Sequence, residues 1–167
     1  MDKRFRVMCA AATLGLVACG GGKSEQGATI ARVGEAAPPW TEPTSQGPAL
    51  RFDSLRGKVT YLNFFATWCP PCNEEAPAID ALQQRFGGHG LQVVGVDVLE
   101  NARKADDFRR QHHLNYPVIV DDGTLRAAYS VNGLPVHVFI DRSGVVRKIV
   151  VGEMSAQEMS ANVQGLL

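Results

Sequence analysis

The sequence is short of cysteine, of net charge and of long apolar runs. Four cysteines occur in 167 residues, and two of them, Cys9 and Cys19, lie near the N-terminus. That excludes a scaffold stapled by several disulfides. The 17 basic and 17 acidic residues cancel. No basic run is long enough to make a phosphate track, so a nucleic-acid partner is excluded. Hydrophobic residues make up 45% of the chain, too many for a disordered one. There is no internal repeat, and the length suits a leader segment followed by one domain.

The apolar stretch Val7–Leu16 is too short to span a bilayer comfortably. Lys3, Arg4 and Arg6 precede it, and together they read as a signal peptide. Leu16-Val17-Ala18-Cys19-Gly20 follows. A small residue ahead of a cysteine, with aliphatics upstream, resembles the bacterial lipoprotein lipobox. The resemblance implies cleavage before Cys19, diacylglycerol on its thiol and an acylated new N-terminus. The bland alternative is an ordinary signal peptide with a chance cysteine. Residues 1–18 are thus expected to be signal peptide, 19–37 a flexible, Gly-rich tether, and 38–167 the domain. Fully extended, such a tether reaches at most roughly 60 Å.

Once the leader is removed and Cys19 is lipidated, two cysteines remain, in Trp68-Cys69-Pro70-Pro71-Cys72. The run Val59–Phe65 before them reads as a buried strand, and Asn73–Phe86 after them as an amphipathic helix. A Cys-x-x-Cys at a strand-to-helix junction signals a redox pair. The i, i+3 spacing puts both sulfurs on one helical face, one turn apart. They can close a disulfide there with little backbone movement. Half a zinc site is the rival reading. A tetrahedral structural site needs four ligands, and none of His89, His112, His113 and His137 stands at finger-like spacing from a second pair. No metal is expected.

The rest of the chain predicts a short strand at 49–52 and a turn at 53–55. The helix is expected over 70–86, kinked at Pro77 and ended by Gly87-Gly88. A second buried strand follows at 91–98, then a helix at 102–112 anchored by Phe108. A short strand at 117–120 and a short helix at 123–129 come next. A hairpin forms from 137–140 and 145–151 around Asp141-Arg142-Ser143-Gly144. Ser155-Ala156-Gln157-Glu158 reads as a capping box that opens a final helix. This order predicts an α/β fold with a mixed sheet covered on both faces.

Several segments in sequence order resemble the TlpA/ResA branch of the thioredoxin superfamily. They are Gly34-Glu35-Ala36-Ala37-Pro38, Leu55-Arg56-Gly57-Lys58-Val59, Asn63 through Cys72, Glu75-Ala76-Pro77, Tyr129 through Pro135, and Phe139 through Gly144. The resemblance covers about Gly34 to Gly152. It implies a thioredoxin-like fold with a mixed central sheet flanked by helices, an N-terminal extension and an inserted α-β segment. It also implies a membrane-tethered or secreted thiol-disulfide oxidoreductase with no cofactor beyond its Cys69–Cys72 disulfide. Its partners would be protein thiols and disulfides, such as apocytochromes c or copper-delivery proteins, with a membrane thiol carrier as electron donor. The chain is expected to be a monomer of the bacterial cell envelope.

The residues can then be assigned roles. Cys69, at the N-cap, meets the positive end of the helix and is the expected attacking thiolate. Cys72 is the resolving thiol. Pro71, at N2, has no N–H for the Cys69 sulfur, and Pro70 precedes it. A less stabilised thiolate makes a better reductant, which favours the reducing direction. Trp68 is expected to pack beside the sulfurs, or merely to fill the surface edge. Pro135 matches the superfamily's cis-proline loop, with Leu134 offering its backbone to an extended substrate. Glu75, three residues past Cys72, either tunes that thiol or is simply solvated. Asn63 stands where thioredoxin has a buried aspartate. His137 replaces the family's common threonine and is expected as a hydrogen-bonded strand residue. Asp97 and Asp141 are expected at strand ends and turns. Two other readings carry less support. A peroxiredoxin-like peroxidase shares the N-terminal segments but uses a Thr-x-x-Cys context. A copper-binding or chaperone module would want a wider Cys-x-x-x-Cys and a distal histidine.

Overall fold

The computed structural model describes residues 29–167. The expected signal peptide, Cys19 and most of the tether lie outside the described residues. A small antiparallel pair comes first, β1 Thr41–Pro43 and β2 Ala49–Arg51. Five further strands form one sheet: β3 Val59–Phe65, β4 Leu91–Val98, β5 Val118–Asp121, β6 Val136–Ile140 and β7 Val146–Val151. Their order across it is β5-β4-β3-β6-β7. Strands β3, β4 and β5 are parallel, while β6 runs antiparallel to β3 and β7 antiparallel to β6. Helices α1 Pro70–Phe86, α2 Ala102–Gln111, α3 Thr124–Ala128 and α4 Ala156–Gln164 complete the mixed α/β fold.

Every residue of β3 is buried, as befits the strand flanked on both sides. Successive side chains alternate between two core layers. Tyr61 and Phe65 face the layer that holds Cys69, Cys72, Ala76, Ile79 and Phe108. Leu62 and Phe64 face the layer of Phe52, Leu125, Tyr129 and Val138. Phe65 stacks on Phe108 with ring centroids 4.4 Å apart, which ties α2 to the sheet. Burying a ring of this size contributes about 1.5–3 kcal/mol. Gly95 lets this happen, because a Cβ there would lie 3.1 Å from the Phe65 ring and 3.2 Å from Val118.

The packed chain begins earlier than the expected start at residue 38. Ala31 N–H donates to the Ala128 carbonyl at 2.8 Å, Gly34 N–H to Val146 at 2.8 Å and Ala37 N–H to Gly144 at 2.9 Å. Composition reads small, polar residues as tether, but small residues also let backbones approach closely, and here they do. Strand β1 also escapes pattern reading. Three residues ending in proline carry no period, and pairing with β2 makes the strand. Pro77 does not end α1. It sits on the exposed side, where its missing N–H costs least. Asp141 holds the β6–β7 turn, accepting from Ser143 N–H at 2.9 Å and Val145 N–H at 3.0 Å.

Candidate active site

The carboxyl end of β3 runs through Ala66, Thr67 and Trp68 into Cys69, the N-cap of α1. Ligand sites in such sheets lie beyond the carboxyl ends of the strands. Cys69 and Cys72 form a disulfide with Cα atoms 5.3 Å apart. The Cys69 sulfur accepts one backbone hydrogen bond, from Cys72 N–H at 3.4 Å. Pro70 and Pro71 occupy N1 and N2 and offer none. The helix dipole therefore acts on this sulfur with half its usual complement of donors.

Both cysteines are 3% exposed, so area alone does not mark Cys69 as the attacking sulfur. Access does. Cys69 lines an open groove of about 480 Å³, and Cys72 does not. Trp68, Pro70, Pro71, Leu99, Val131 and Leu134 shape the apolar walls, with Arg126 at one side. Trp68 lines the same groove as Cys69. It is 69% exposed. Thr67 is bonded inward to Glu100, and the next side chain is sent outward into the groove wall.

The Leu134–Pro135 peptide bond is cis. Gly133 and Leu134 border the groove, and Pro135 is buried behind them. The Pro135 carbonyl accepts from Gly152 N–H at 2.9 Å, which ties the loop to the end of β7.

Glu75 is 7% exposed rather than solvated. Its Oε1 accepts from Met154 N–H at 2.5 Å, and its Oε2 lies 3.4 Å from His137 Nε2. Burial raises the Glu75 carboxyl, the Met154 amide opposes this, and the nearby Glu153 charge adds to it. His137, fully buried on β6, is pushed down to about 4 by burial, against the pull of the Gly152 carbonyl. Its ring is therefore neutral. Nε2 lies 3.1 Å from the Gly152 carbonyl, which assigns the proton to Nε2. Nδ1 is then free to accept from Tyr61 Oη at 2.8 Å, with Asn63 Nδ2 at 3.5 Å. Asn63 and His137 face each other in register across β3 and β6.

Residues that sequence reasoning did not single out brace the loop into Cys69. Asn73 Nδ2 donates to the Cys69 carbonyl at 2.8 Å and the Thr67 carbonyl at 3.1 Å. His112 Nε2 sits 3.0 Å from Asn73 Oδ1. Glu100 accepts from Thr67 N–H at 2.6 Å and from its hydroxyl at 2.9 Å. No motif carries these contacts, since Thr67 and Glu100 lie on different strands' ends. Among the described residues, the group with metal-like spacing is Glu42, Asp121 and Asp122, which includes neither cysteine.

The AhpC/TSA family model matches residues 33–149. The thiol-disulfide oxidoreductase ResA of Bacillus cereus is 31% identical over 134 residues, 80% of this chain and 78% of the relative. Among solved structures, a thiol:disulfide interchange protein of the thioredoxin family from Chlorobium tepidum TLS superposes with a TM-score of 0.75 at 30% identity, covering 83% of this chain and 99% of that one. A secreted Mycobacterium tuberculosis disulfide oxidoreductase homologous to E. coli DsbE gives 0.70 at 30% identity, covering 76% and 96%. With the Cys69–Cys72 disulfide at the end of the central strand, these matches show that the chain belongs to the TlpA/ResA-like thiol-disulfide oxidoreductases of the thioredoxin superfamily.

Proposed function

We propose that this oxidoreductase works as a reductase of disulfides in protein substrates, held outside the cytoplasm by lipid on Cys19. The observation that carries the direction is the single backbone donor on the Cys69 sulfur. A thiolate with fewer donors is less stabilised, so the dithiol gives up its electrons more readily. In the reduced protein, the Cys69 thiolate attacks one sulfur of a substrate disulfide, and the other substrate sulfur leaves as a thiolate. Cys72 then loses its proton and attacks the Cys69 sulfur. The substrate is released as a dithiol, and the Cys69–Cys72 disulfide remains. Glu75 is the buried side-chain base on that helix face. A membrane dithiol carrier returns two electrons to the pair.

The groove supports a polypeptide substrate, since its apolar walls flank Cys69 on one side and Gly133-Leu134 on the other. Apocytochromes c and copper-delivery proteins are the substrates that the TlpA/ResA resemblance suggests. Closure of Cys69 onto Cys72 favours disulfide exchange over the peroxidase and copper-site readings. Cys72→Ser, expressed in the native envelope, should stall as a mixed disulfide on Cys69 with oxidised client proteins. Cys69→Ser should trap nothing. Trapping by Cys69→Ser in place of Cys72→Ser would reverse the roles, and a pair that oxidises reduced clients at the glutathione poise would overturn the direction.

A further inference from the structure

Asp97 lies near the end of β4 with no exposed surface, and neither of its carboxyl oxygens meets an N–H or O–H donor among the described residues. The expected strand-end role would have given it a backbone amide, and it has none. A bare carboxylate in such a place costs several kcal/mol, so the group must be held in another form. Its polar neighbour is Glu100. Two carboxyl groups attract only if one keeps its proton. Burial raises the Asp97 carboxyl to about 8, helped by the Glu100 charge and by the hydrogen bond between the two, with Lys104 opposing. Burial raises Glu100 as well. There, bonds from Thr67, Lys104 and Asp97 outweigh it and keep the carboxyl below its ordinary value. The proton rests on Asp97.

Glu100 spends the rest of its oxygen capacity on the redox loop. It accepts both the N–H and the hydroxyl of Thr67, two residues ahead of Cys69, and Lys104 Nζ lies 3.1 Å away. Between the two acids, Leu99 has φ 59, a left-handed backbone that a leucine seldom adopts. That turn brings Glu100 back toward Thr67 and leaves Leu99 on the groove wall that Trp68 shares. Such strain persists where neighbouring contacts hold it. Asp97 is also the β4 register partner of Phe65, the last residue of the strand that leads to Thr67.

We propose that Asp97 is a positioning residue for the redox pair: as a carboxylic acid it donates to Glu100, and so fixes the carboxylate that holds Thr67 and the peptide entering Cys69. The ionisable groups that act on it are Glu100, just ahead of α2, and Lys104 in the first turn of α2. Lys104, the cation among them, is largely exposed and already paired with Glu100. When Asp97 ionises, two buried carboxylates repel each other and the hold on Thr67 loosens. The sign follows from the raised proton affinity in the folded state. The stabilisation is complete below the ordinary aspartate range and is lost as pH rises toward about 8.

The test uses the reduced protein in a Cys72→Ser background, so that one thiol titrates. The alkylation rate of Cys69 is followed from about pH 6 to about pH 9, a range that spans this transition. The parent should show the Cys69 titration and a second step near pH 8. Asp97→Asn keeps a donor for Glu100 but cannot ionise. It should match the parent rate at neutral pH and lose the second step. Asp97→Leu removes the donor and should change the neutral-pH rate several-fold. A residue that serves folding alone would alter stability and leave the pH profile unmoved. A parent with no second step, or an Asp97→Asn profile that superposes on it, overturns the proposal. If Asp97→Leu does not fold, Asp97→Asn against the parent decides.

Discussion

Cys69 takes one backbone donor where an N-cap ordinarily has two within reach, and the missing one belongs to Pro71. Pro71→His restores an N–H at N2 and adds a ring that can carry positive charge. Both stabilise the thiolate, so the dithiol should become more oxidising. A hydrogen bond to a charged group is worth about 1.5–3 kcal/mol, and about 1.4 kcal/mol corresponds to roughly 30 mV in a two-electron couple. A positive shift of some tens of millivolts is expected in glutathione equilibration. An unchanged potential would show that the proline does not set the redox poise. The neighbouring Glu75 and His137 work under a different constraint. Both are buried, so their charge states follow from desolvation first, and then from Met154 and Glu153 for Glu75 and from Gly152 for His137.

Among the elements, α4 has a role beyond covering the sheet. Its capping box is closed: Ser155 Oγ accepts from Glu158 N–H at 3.2 Å, and Glu158 Oε2 accepts from Ser155 N–H at 2.9 Å. Met154, one residue earlier, gives its N–H to Glu75. The cap that starts α4 thus also fixes the donor that holds a buried carboxylate on α1. Ser155→Ala should cost about 1 kcal/mol of stability, as N-cap losses do. Urea denaturation should show a lower midpoint with an unchanged slope. An unmoved midpoint would mean that Glu158 and the α4 packing suffice. Helix α2 is held by a different device, the Phe108 stack on Phe65, and its first turn brings Lys104 to Glu100.

At the scale of the whole molecule, packing begins at Ala31, ahead of the expected residue 38. A lipid on Cys19 would leave about a dozen residues before the body, a reach of at most roughly 40 Å. In a lipidated protein Ala31, where the packed chain begins, would then lie within that distance of the membrane surface. Cys19→Ser should move the protein from the membrane fraction to the soluble one, or block its processing. Radiolabelled fatty acid should mark the parent and not the variant. Unchanged membrane retention with no label on the parent would remove the anchor.

Sequence by itself determined the elements whose cause is local. Residues Val59–Phe65 and Leu91–Val98 are mostly apolar and rich in β-branched and aromatic side chains, which reads as buried strands. Helix α1 spans the predicted 70–86, and Ser155 with Glu158 marks the start of α4. The Cys-x-x-Cys pair, its helix-terminal place and the missing Pro71 donor all follow from neighbours in the chain. Tertiary structure alone decided what depends on distant segments meeting. It turned Ala31 to Ala37 from tether into packed chain, and it left Trp68 exposed on the groove that Cys69 lines. It buried Glu75 against His137 and Met154, and it joined Asp97 and Glu100 to Thr67 in the loop that leads into Cys69. The physical reason is desolvation. A carboxyl group's proton affinity is set by how much water it loses and by which donors replace that water, and both are properties of the assembled fold.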